Sequence, residues 1–283
     1  IVFVVVGFAF KVSAVPFHTW APDTYEGAPT PVTAFLSVAS KAAGFVALVV
    51  LVLTAFPEGR DVWQPFIWGL SALTMTVGNI FALRQTNFVR MIAYSSVSQG
   101  GFILMPLAVA GGAAGEAALR AVVVYLIVYA ATNLGMFAVI LAVSRKTRSG
   151  EISSLGGLFS YAPALGVLLT IFLASLAGIP PLGGWIGKFA AFQALLTDAS
   201  PWAYVLAIIG AVNSVVAFGY YGSVMREIWM KPVPDGDTTP IRIPGSLKLA
   251  LVITAVATLV LGILPGVAMH FGDIAQLTSA FGG

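Results

Sequence analysis

Three lysines interrupt long runs of apolar residues in this 283-residue chain. Lys11, Lys41 and Lys188 each lie near the middle of such a run, where a span of the lipid bilayer is predicted. Insertion scales assign a lysine at the bilayer centre a cost of about 2.5 to 3.5 kcal/mol. Apolar neighbours offset this cost but do not explain why the lysines are there. The three lysines are therefore candidate functional residues.

The chemistry open to a buried lysine is proton exchange. A free lysine has a pKa near 10.4, and burial alone is enough to bring the pKa of such a group down to about 7. Two lysines about 8 Å apart repel by roughly 2 kcal/mol at an effective dielectric constant of 20, so protonation of one favours deprotonation of the next. A row of such groups, linked by water and polar side chains, is a proton relay.

Helix-breaking residues lie beside two of the three lysines. Pro16 follows Lys11 by five residues, and the sequence PPLGG at 180–184 precedes Lys188. A lysine there could simply cap the carbonyl groups that a broken helix exposes, whereas Lys41 lies in an unbroken apolar run. The breaker follows one lysine and precedes the other, which is the relation that inverted repeats produce. We expect a discontinuous helix and a hydrated cavity at both breaks.

Polar side chains within the apolar runs are candidates to link the lysines, although each could instead form an ordinary hydrogen bond between helices. His18, seven residues after Lys11, is a candidate for proton exchange with the cytoplasmic surface or else a plain interfacial histidine. We assign no role to His270. The candidate links are Ser13, Ser37, Ser40, Thr74, Asn79, Ser98, Gln99, Tyr125, Thr132, Asn133, Ser175, Gln193 and Asn213.

The composition is typical of a polytopic membrane protein. Hydrophobic residues make up 59% of the chain and charged residues 9%, against about 25% charged residues in soluble domains. The chain has no cysteine and two histidines, which excludes disulfides and thiolate-bound iron–sulfur clusters and leaves too few ligands for an all-histidine metal site. A net charge of +3 without a basic stripe disfavours nucleic-acid binding. We expect no cofactor and no metal in this chain.

Eight apolar segments have the length of about 20 residues that a bilayer-spanning helix needs. They are predicted at residues 1–22, 29–56, 64–83, 91–110, 119–143, 163–197, 201–225 and 247–270. If the helices alternate in direction, only Arg60 and Arg120 lie in the loops on one side. The positive-inside rule then places the other side in the cytoplasm and the C-terminus outside. The cytoplasmic group comprises Arg84, Arg90, Arg145, Lys146, Arg148, Arg226, Lys231, Arg242 and Lys248.

Four sequence blocks resemble one family of membrane proteins. They are FKVSAVPFHTWAPDTYEGAPTPVTAFLSVASKAAG at 10–44, RQTNFVRMIAYSSVSQGG at 84–101, SLAGIPPLGGWIGKF at 175–189 and NSVVAFGYYGSVMREIWM at 213–230. The chain is similar to the antiporter-like membrane subunits of bacterial NADH:quinone oxidoreductase, respiratory complex I, and within them to the subunit N family. Because Ile1 begins inside an apolar run without a signal peptide, we interpret the chain as a fragment whose N-terminal part is missing.

The resemblance implies an all-α, polytopic inverted-repeat helix bundle with two discontinuous helices. Residues 1–56 would be the end of the first repeat, 57–230 the second repeat, and 231–283 a cytoplasmic linker and the final helix. Members of the family carry a lysine on each of two broken helices and a third on an intact helix. By this resemblance Lys11 and Lys188 match the lysines of the broken helices and Lys41 matches that of the intact one.

The resemblance also implies a function. The chain would be a proton-translocating membrane-arm subunit in the bacterial inner membrane, driven by quinone reduction in neighbouring subunits, which would also use NADH. Its partners would be the other membrane-arm subunits and the lipid bilayer. A subunit of a Na⁺/H⁺ antiporter is the alternative, and a non-catalytic membrane scaffold is a third reading. A sodium path is expected to offer carboxylate ligands, yet all eleven acidic residues fall in loops or at span ends.

Overall fold

The computed structural model of the chain describes residues 1–111 and 114–274. Helices make up most of this part, in which the only β-type pairing is an isolated antiparallel bridge between Asn87 and Glu151. The predicted all-α class is therefore confirmed. The C-terminus, which we predict on the external side, lies outside the described residues. Within these described ranges, five continuous helices are long and apolar enough to cross a membrane: Thr30–Ala55, Pro57–Ala82, Gly115–Thr147, Pro201–Met230 and Gly245–Ile263.

The α-helical segments of the described residues follow one another in a simple order. They are α1 Val2–Lys11, α2 Trp20–Gly27, α3 Thr30–Phe35, α4 Lys41–Val50, α5 Arg60–Ala82, α6 Phe88–Leu107, α7 Gly115–Thr147, α8 Leu158–Tyr161, α9 Pro163–Ala177, α10 Gly183–Asp198, α11 Pro201–Met230, α12 Gly245–Ile263 and α13 Pro265–Asp273. Short 3₁₀ turns lie at Pro57–Gly59 and Ile152–Leu155. Each of the eight predicted spans coincides with one of these helices or with two consecutive ones.

Two spans are discontinuous, as the positions of the helix breakers predict. The first breaks between α1 and α2, around Pro16, and Ser13 in this break has a left-handed φ of 61°. The second breaks between α9 and α10, where Gly178 has a φ of +91° and Pro180 and Pro181 follow. A proline has no N–H to donate and a left-handed residue turns the chain out of the helix, so both breaks have a local cause.

The span that contains Lys41 differs from the expectation in one detail. It is a continuous helix, but a π-helical turn at Leu36–Ser40 separates α3 from α4, and a second π turn at Leu51–Ala55 follows α4. A π turn adds one residue to the helical turn and so rotates the residues that follow it. Lys41 is the first residue after the earlier of these turns. The hydropathy pattern does not reveal an insertion of this kind, because apolar residues continue on both sides.

Helices α6 and α7 form the centre of the bundle. Helix α7 contacts α6, α9, α10, α12 and α13, and α6 packs along α5. Glycines allow the close approach of α5 and α6: a Cβ atom at Gly101 would lie 2.6 Å from the Met75 nitrogen, and one at Gly78 would lie 2.7 Å from the Ser98 nitrogen. Small residues at helix contacts are typical of membrane bundles. Every residue of α6 from 95 to 107 is buried, so its polar side chains face other helices instead of lipid.

The linker between α11 and α12 is held against the end of α7. Lys146 Nζ donates to the carbonyl oxygens of Asp237 at 2.8 Å and Thr239 at 2.6 Å, and it lies 4.1 Å from the ring centroid of Tyr161. The Asp237 carboxylate accepts hydrogen bonds from the nitrogen and hydroxyl of Thr239 at 2.9 and 2.7 Å. These bonds and the nearby Lys146 lower the pKa of Asp237. The linker is therefore ordered around one lysine.

Removal of the Lys146 charge is expected to loosen this linker. In Lys146→Gln the two carbonyl oxygens lose their charged donor, and hydrogen exchange at the Thr239 amide is expected to accelerate by roughly fivefold, the equivalent of about 1 kcal/mol. Because the pKa of Asp237 is lowered, its contribution is present above the ordinary aspartate pKa and is lost only as the pH falls through the lowered value. The difference between wild type and variant should therefore not change with pH across the neutral range. The exposed Lys248, replaced in the same way, is the control and should leave exchange unchanged.

Candidate proton-relay site

Lys41 is buried, with 3% of its surface exposed, at the start of α4. Its Nζ donates to the carbonyl oxygen and to the hydroxyl of Ser96 on α6, each at 2.6 Å. Tyr129 on α7 donates to the same Ser96 hydroxyl at 2.9 Å, and Tyr25 on α2 lies 3.4 Å from it. The partners of the Lys41 nitrogen are thus neutral dipoles, and no carboxylate within the described part of the chain forms an ion pair with it.

Lys188 is also buried, with 6% of its surface exposed, and it lies beside the second helix break. Its Nζ donates to the carbonyl oxygen of Ala177, the last residue of α9, at 2.8 Å. The nitrogen also lies 4.7 Å from the centroid of the Phe102 ring, which faces it as a cation–π partner. A Cβ atom at Gly178 would lie 2.8 Å from the Lys188 Cδ atom, so this glycine makes room for the side chain. Lys188 thus caps the carboxyl end of a broken helix, which is one of the two readings that the sequence left open.

Lys11 has a different environment from the other two lysines. It is the last residue of α1, and its side chain is exposed in the part of the chain that the structure describes. Its stem packs against α4, where a Cβ atom at Gly44 would lie 3.0 Å from the Lys11 Cγ atom. Lys11 is therefore close to α4 but does not belong to the buried network. The position of Lys11 in the apolar run predicts its depth in the membrane. It does not predict the direction in which its side chain points.

A separate hydrogen-bonded group of polar side chains lies next to the partners of Lys41 and Lys188. Gln99 lies between them and donates to the carbonyl oxygen of Leu176 at 3.0 Å and to the hydroxyl of Tyr221 at 3.3 Å. Tyr125 donates to the Gln99 Oε1 atom, and Tyr221 shares a hydrogen bond with the hydroxyl of Ser95. Ser95 precedes the residue that binds Lys41, and Leu176 precedes the residue that binds Lys188. This group of polar side chains therefore adjoins the binding residues of both lysines, although no hydrogen bond among the described residues joins it to Ser96 or to Lys188.

A small cavity adjoins this chain at the second break. It has a volume of about 10 Å³ and is lined by Gln99, Tyr125, Tyr129, Thr132 and Ser175, among others. This is close to the smallest space that holds one water molecule, and the polar groups around it supply the partners that a buried water needs. Lys188 does not line this cavity, so the hydrated space expected around that lysine stays a prediction.

Several of the predicted links pair with each other. Asn133 Nδ2 donates to the Ser37 hydroxyl at 2.8 Å. The hydroxyls of Thr132 and Ser175 share a hydrogen bond of 3.0 Å, and Ser175 also accepts one from the Gly184 nitrogen. These contacts join α7 to the π turn and to the second break. They surround the two buried lysines without touching their nitrogens.

Other predicted links stabilise the packing of α5 instead. Asn79 donates to the Asn213 side chain at 2.9 Å, and Tyr220 donates to Asn79 at 3.0 Å, which joins α5 to α11. Thr74 accepts a hydrogen bond from the Val15 nitrogen at 3.0 Å and so fixes the first break against α5. Gln193 differs most from the expectation, since its side chain is exposed on the outside of α10.

His18 and two of the predicted serine links have buried polar atoms without a hydrogen-bond partner among the described residues. His18 is 8% exposed, and its ring meets that of Tyr94 edge-on with centroids 6.3 Å apart. Its Nδ1 atom and the hydroxyls of Ser13 and Ser98 have no hydrogen-bond partner among the described residues. Ser40 is half-buried beside Lys41. The structure therefore places His18 at the first break but does not connect it to a lysine.

Four residues of the polar groups near the lysines were not predicted from the sequence. Ser96 and Ser95 precede the predicted Gln99 by three and four residues, and Tyr129 follows the predicted Tyr125 by four. Residues three or four apart share a face of a helix, so this spacing was a usable signal. For Tyr221, in contrast, the only signal in the sequence is that it follows another tyrosine, Tyr220. No group of three metal-ligating side chains occurs among the described residues.

One buried lysine beside a broken helix and a second on a continuous helix, in an all-helical membrane bundle, fit the class of antiporter-like membrane subunits. The family described as NADH:quinone oxidoreductase/Mrp antiporter, TM, matches residues 1–216. The chain belongs to this family.

Relatives in the family carry the name NADH-quinone oxidoreductase subunit N. One from Heliobacterium modesticaldum is 44% identical over 267 residues, which cover 94% of this chain and 55% of the relative. One from Trichlorobacter lovleyi is 42% identical over 268 residues, with coverage of 94% and 53%. The resemblance to subunit N is therefore confirmed. The chain spans about half the length of the curated relatives it matches.

Solved structures share the fold. A chain of respiratory complex I from Thermus thermophilus superposes with a TM-score of 0.73 at 31% identity, over 94% of this chain and 57% of that one. A chain of the Mrp complex from Dietzia sp. superposes with a TM-score of 0.88 at 21% identity, over 99% and 59%. At 21% identity the second likeness concerns the fold alone. Together they confirm the antiporter-like helix bundle.

Ser96 is expected to be the most sensitive polar contact in the site. In Ser96→Ala, Lys41 keeps only the backbone carbonyl and Tyr129 loses its acceptor, which is expected to cost about 1 to 3 kcal/mol. The measurement is thermal unfolding of the purified protein in detergent, with the exposed Ser153→Ala as the control. Because Tyr129→Phe breaks one of the same contacts, the double variant should lose less than the two single losses together. Strict additivity would contradict the shared hydrogen bond.

Proposed function

We propose that the chain is part of a proton-translocating membrane-arm subunit of an NADH:quinone oxidoreductase, and that Lys41 and Lys188 carry the proton. The observation on which this rests is that two buried lysines have only neutral hydrogen-bond partners, and that a hydrogen-bonded group of polar side chains around Gln99 adjoins the residues that bind them. A lysine paired with a carboxylate holds its proton, whereas one that is solvated by carbonyl and hydroxyl groups can release it. The subunit N relatives and the complex I fold support the same function.

The proposed route of transfer starts at Lys41. An ammonium at Lys41 donates to the Ser96 hydroxyl, which can pass a proton on only as it receives one from Lys41. No hydrogen bond joins Ser96 to Tyr221, Tyr125 or Gln99 among the described residues, so the proposed route needs a bridging water molecule before these groups continue it to the second break. There a water molecule completes the last step to Lys188. Electrostatic repulsion between the two charged lysines then favours occupancy of one at a time.

The proposed function also includes partners, a location and roles for the residues at the first break. The partners are the other membrane-arm subunits and the lipid of a bacterial inner membrane, with the C-terminus outside. NADH and quinone act in other subunits, and this chain holds no cofactor or metal. Lys11 and His18, at the first break, are proposed to exchange protons with the entry or exit side. The division into residues 1–56, 57–230 and 231–283 stays a prediction.

Lys188→Met is the direct test of the relay. Methionine fills a similar volume but cannot bind a proton, so quinone-coupled proton uptake by the complete complex in vesicles is expected to fall by roughly 100-fold. The exposed Lys231→Met is the matched control and should pump at the wild-type rate. Normal pumping by Lys188→Met would leave only the scaffold reading.

Lys188→Arg separates charge from proton exchange. Arginine keeps a positive charge beside the Ala177 carbonyl but does not deprotonate in proteins. We expect this variant to pump as poorly as Lys188→Met, measured in the same vesicles. If the arginine variant pumps normally, the positive charge is what the second break requires, and Lys188 is not a proton carrier.

The sodium alternative rests on the shared fold of the Mrp complex and has a test of its own. Because the lysine network offers no carboxylate ligand in the described residues, proton uptake is expected to change by less than about twofold when potassium replaces sodium on both sides of the vesicle. The rate of uptake by wild type is the measurement. A requirement for sodium would favour the antiporter function over the one proposed here.

A further inference from the structure

The nitrogen of Lys188 has a second partner besides the carbonyl oxygen of Ala177. The ring of Phe102, on α6, faces it with its centroid 4.7 Å from Nζ. Phe102 is fully buried, and the Ala177 oxygen, at 2.8 Å, accepts the only hydrogen bond from Nζ within residues 1–111 and 114–274. In the same part of the chain no aromatic ring lies over the nitrogen of Lys41 in this way. The two buried lysines are therefore solvated differently.

The two partners of Lys188 respond differently to its charge. A carbonyl oxygen accepts an N–H from the amine as well as from the ammonium, so this hydrogen bond exists in both protonation states. The face of an aromatic ring carries partial negative charge and attracts the ammonium, whereas the neutral amine has no net charge for it to attract. This attraction is stronger away from water, where the ring and the nitrogen both lie. Phe102 is thus the partner that distinguishes the charged from the neutral form.

Backbone elements fix the distance between the ring and the nitrogen. A Cβ atom at Gly178 would lie 2.8 Å from Lys188 Cδ and 3.4 Å from its Nζ, so the lysine side chain lies against the second break. Phe102 follows Gln99 by three residues and so shares its face of α6. Gln99 donates to the Leu176 carbonyl oxygen at 3.0 Å, near the end of α9. One face of α6 therefore binds the end of the broken helix and also places the ring.

The other titratable groups near Lys188 are phenols. Helix α10 packs against α6, α7, α9, α11, α12 and α13. Of these, α7 contributes Tyr125 and Tyr129, which line the small cavity at the second break, and α11 contributes Tyr221, to which Gln99 donates. A phenol has an ordinary pKa near 10 and carries no charge at neutral pH. Helix α9 has no titratable residue, and the other charged residues of these helices lie within about two turns of a helix end. The ring of Phe102 is therefore not in competition with a nearby carboxylate.

We propose that Phe102 favours the ammonium form of Lys188 and so sets the pH at which this lysine gives up its proton during pumping. The inference rests on the proposed function and adds a residue to it. The ring neither takes up nor releases a proton, so Phe102 is a positioning residue that acts through Lys188. A neutral ring attracts an ammonium much less strongly than a carboxylate does. It therefore offsets part of the cost of burial without holding the proton permanently, and Lys188 can be charged in one step and neutral in another.

Stepwise fluorination of the Phe102 ring tests the inference in the complete complex reconstituted in vesicles. Replacement of Phe102 by monofluoro-, difluoro- and trifluorophenylalanine withdraws negative charge from the face of the ring at nearly constant size. The measurement is quinone-coupled proton uptake as a function of pH, in which the basic limb reports a group that must be protonated. With a weaker attraction the neutral amine forms at lower pH. The midpoint of the basic limb is therefore expected to fall in the order of fluorine number, by about one pH unit in the trifluoro variant.

The same three replacements at Phe88 are the matched control. Phe88 is buried near the start of the same helix and has no cation–π partner in the part of the chain that the structure describes. Fluorination there should leave the midpoint at its wild-type value. A fall of similar size at both positions would show that fluorine acts through packing, and it would overturn the role assigned to Phe102.

The remaining outcomes separate this inference from the proposed function. If all three Phe102 variants keep the wild-type midpoint while Lys188→Met fails to pump, the role of Phe102 is refuted and the proposed function stands. Normal pumping by Lys188→Met removes both. A lower rate at every pH with an unchanged midpoint also refutes the inference, because loss of packing alone would produce it. If the trifluoro variant does not assemble, the monofluoro and difluoro variants decide, since their midpoints must still fall in order.

Discussion

A lysine that is kept away from water must be solvated by the dipoles of the protein, and the buried part of this molecule is arranged around that requirement. In the membrane interior a backbone carbonyl that is free to accept a hydrogen bond exists only where a helix is interrupted or where two helices approach closely. Both devices occur. Lys188 uses the Ala177 carbonyl at a helix break, and Lys41 uses a carbonyl and a hydroxyl of Ser96. The glycines and prolines that break a helix or let two helices approach closely therefore determine where a buried lysine can be placed.

The central position of α6 follows from the same requirement. This helix carries Ser95, Ser96 and Gln99, which no lipid-facing helix could hold at low cost. It is buried along most of its length, and the close contact with α5 depends on Gly78 and Gly101. Glycine thus brings the helices together, while the hydroxyl and amide groups bind across the interfaces that remain. Polar residues are tolerated near Lys41 because α6 is buried by other helices and not by lipid.

Much of the fold was predictable from the sequence, since hydropathy gives the spans and proline and glycine give the two breaks. The place of Lys41 and Lys188 near mid-membrane has the same basis in hydropathy and stays a prediction. The direction in which a side chain faces was not, because an apolar run carries little angular information in a membrane, where lipid-facing and core-facing residues are both apolar. The side chains of Lys11 and Gln193 are exposed in the structure described, which their apolar runs do not predict. The π turn before Lys41 could not be predicted, because the residues on both sides of it are uniformly apolar. Tyr221 could not be predicted either, because a tyrosine in an apolar run can serve packing or hydrogen bonding.

Capping of a broken helix and exchange of a proton look like alternative roles for a buried lysine, yet the geometry at Lys188 permits both. A neutral amine keeps two N–H groups, so it still donates to the Ala177 carbonyl after the third proton has left. The helix end remains satisfied in both protonation states, and the side chain does not have to move when the charge changes. A carboxylate partner would remove this property, because it stabilises only the charged form. A carbonyl cap is thus the kind of partner that lets a lysine remain fixed in position and change its charge.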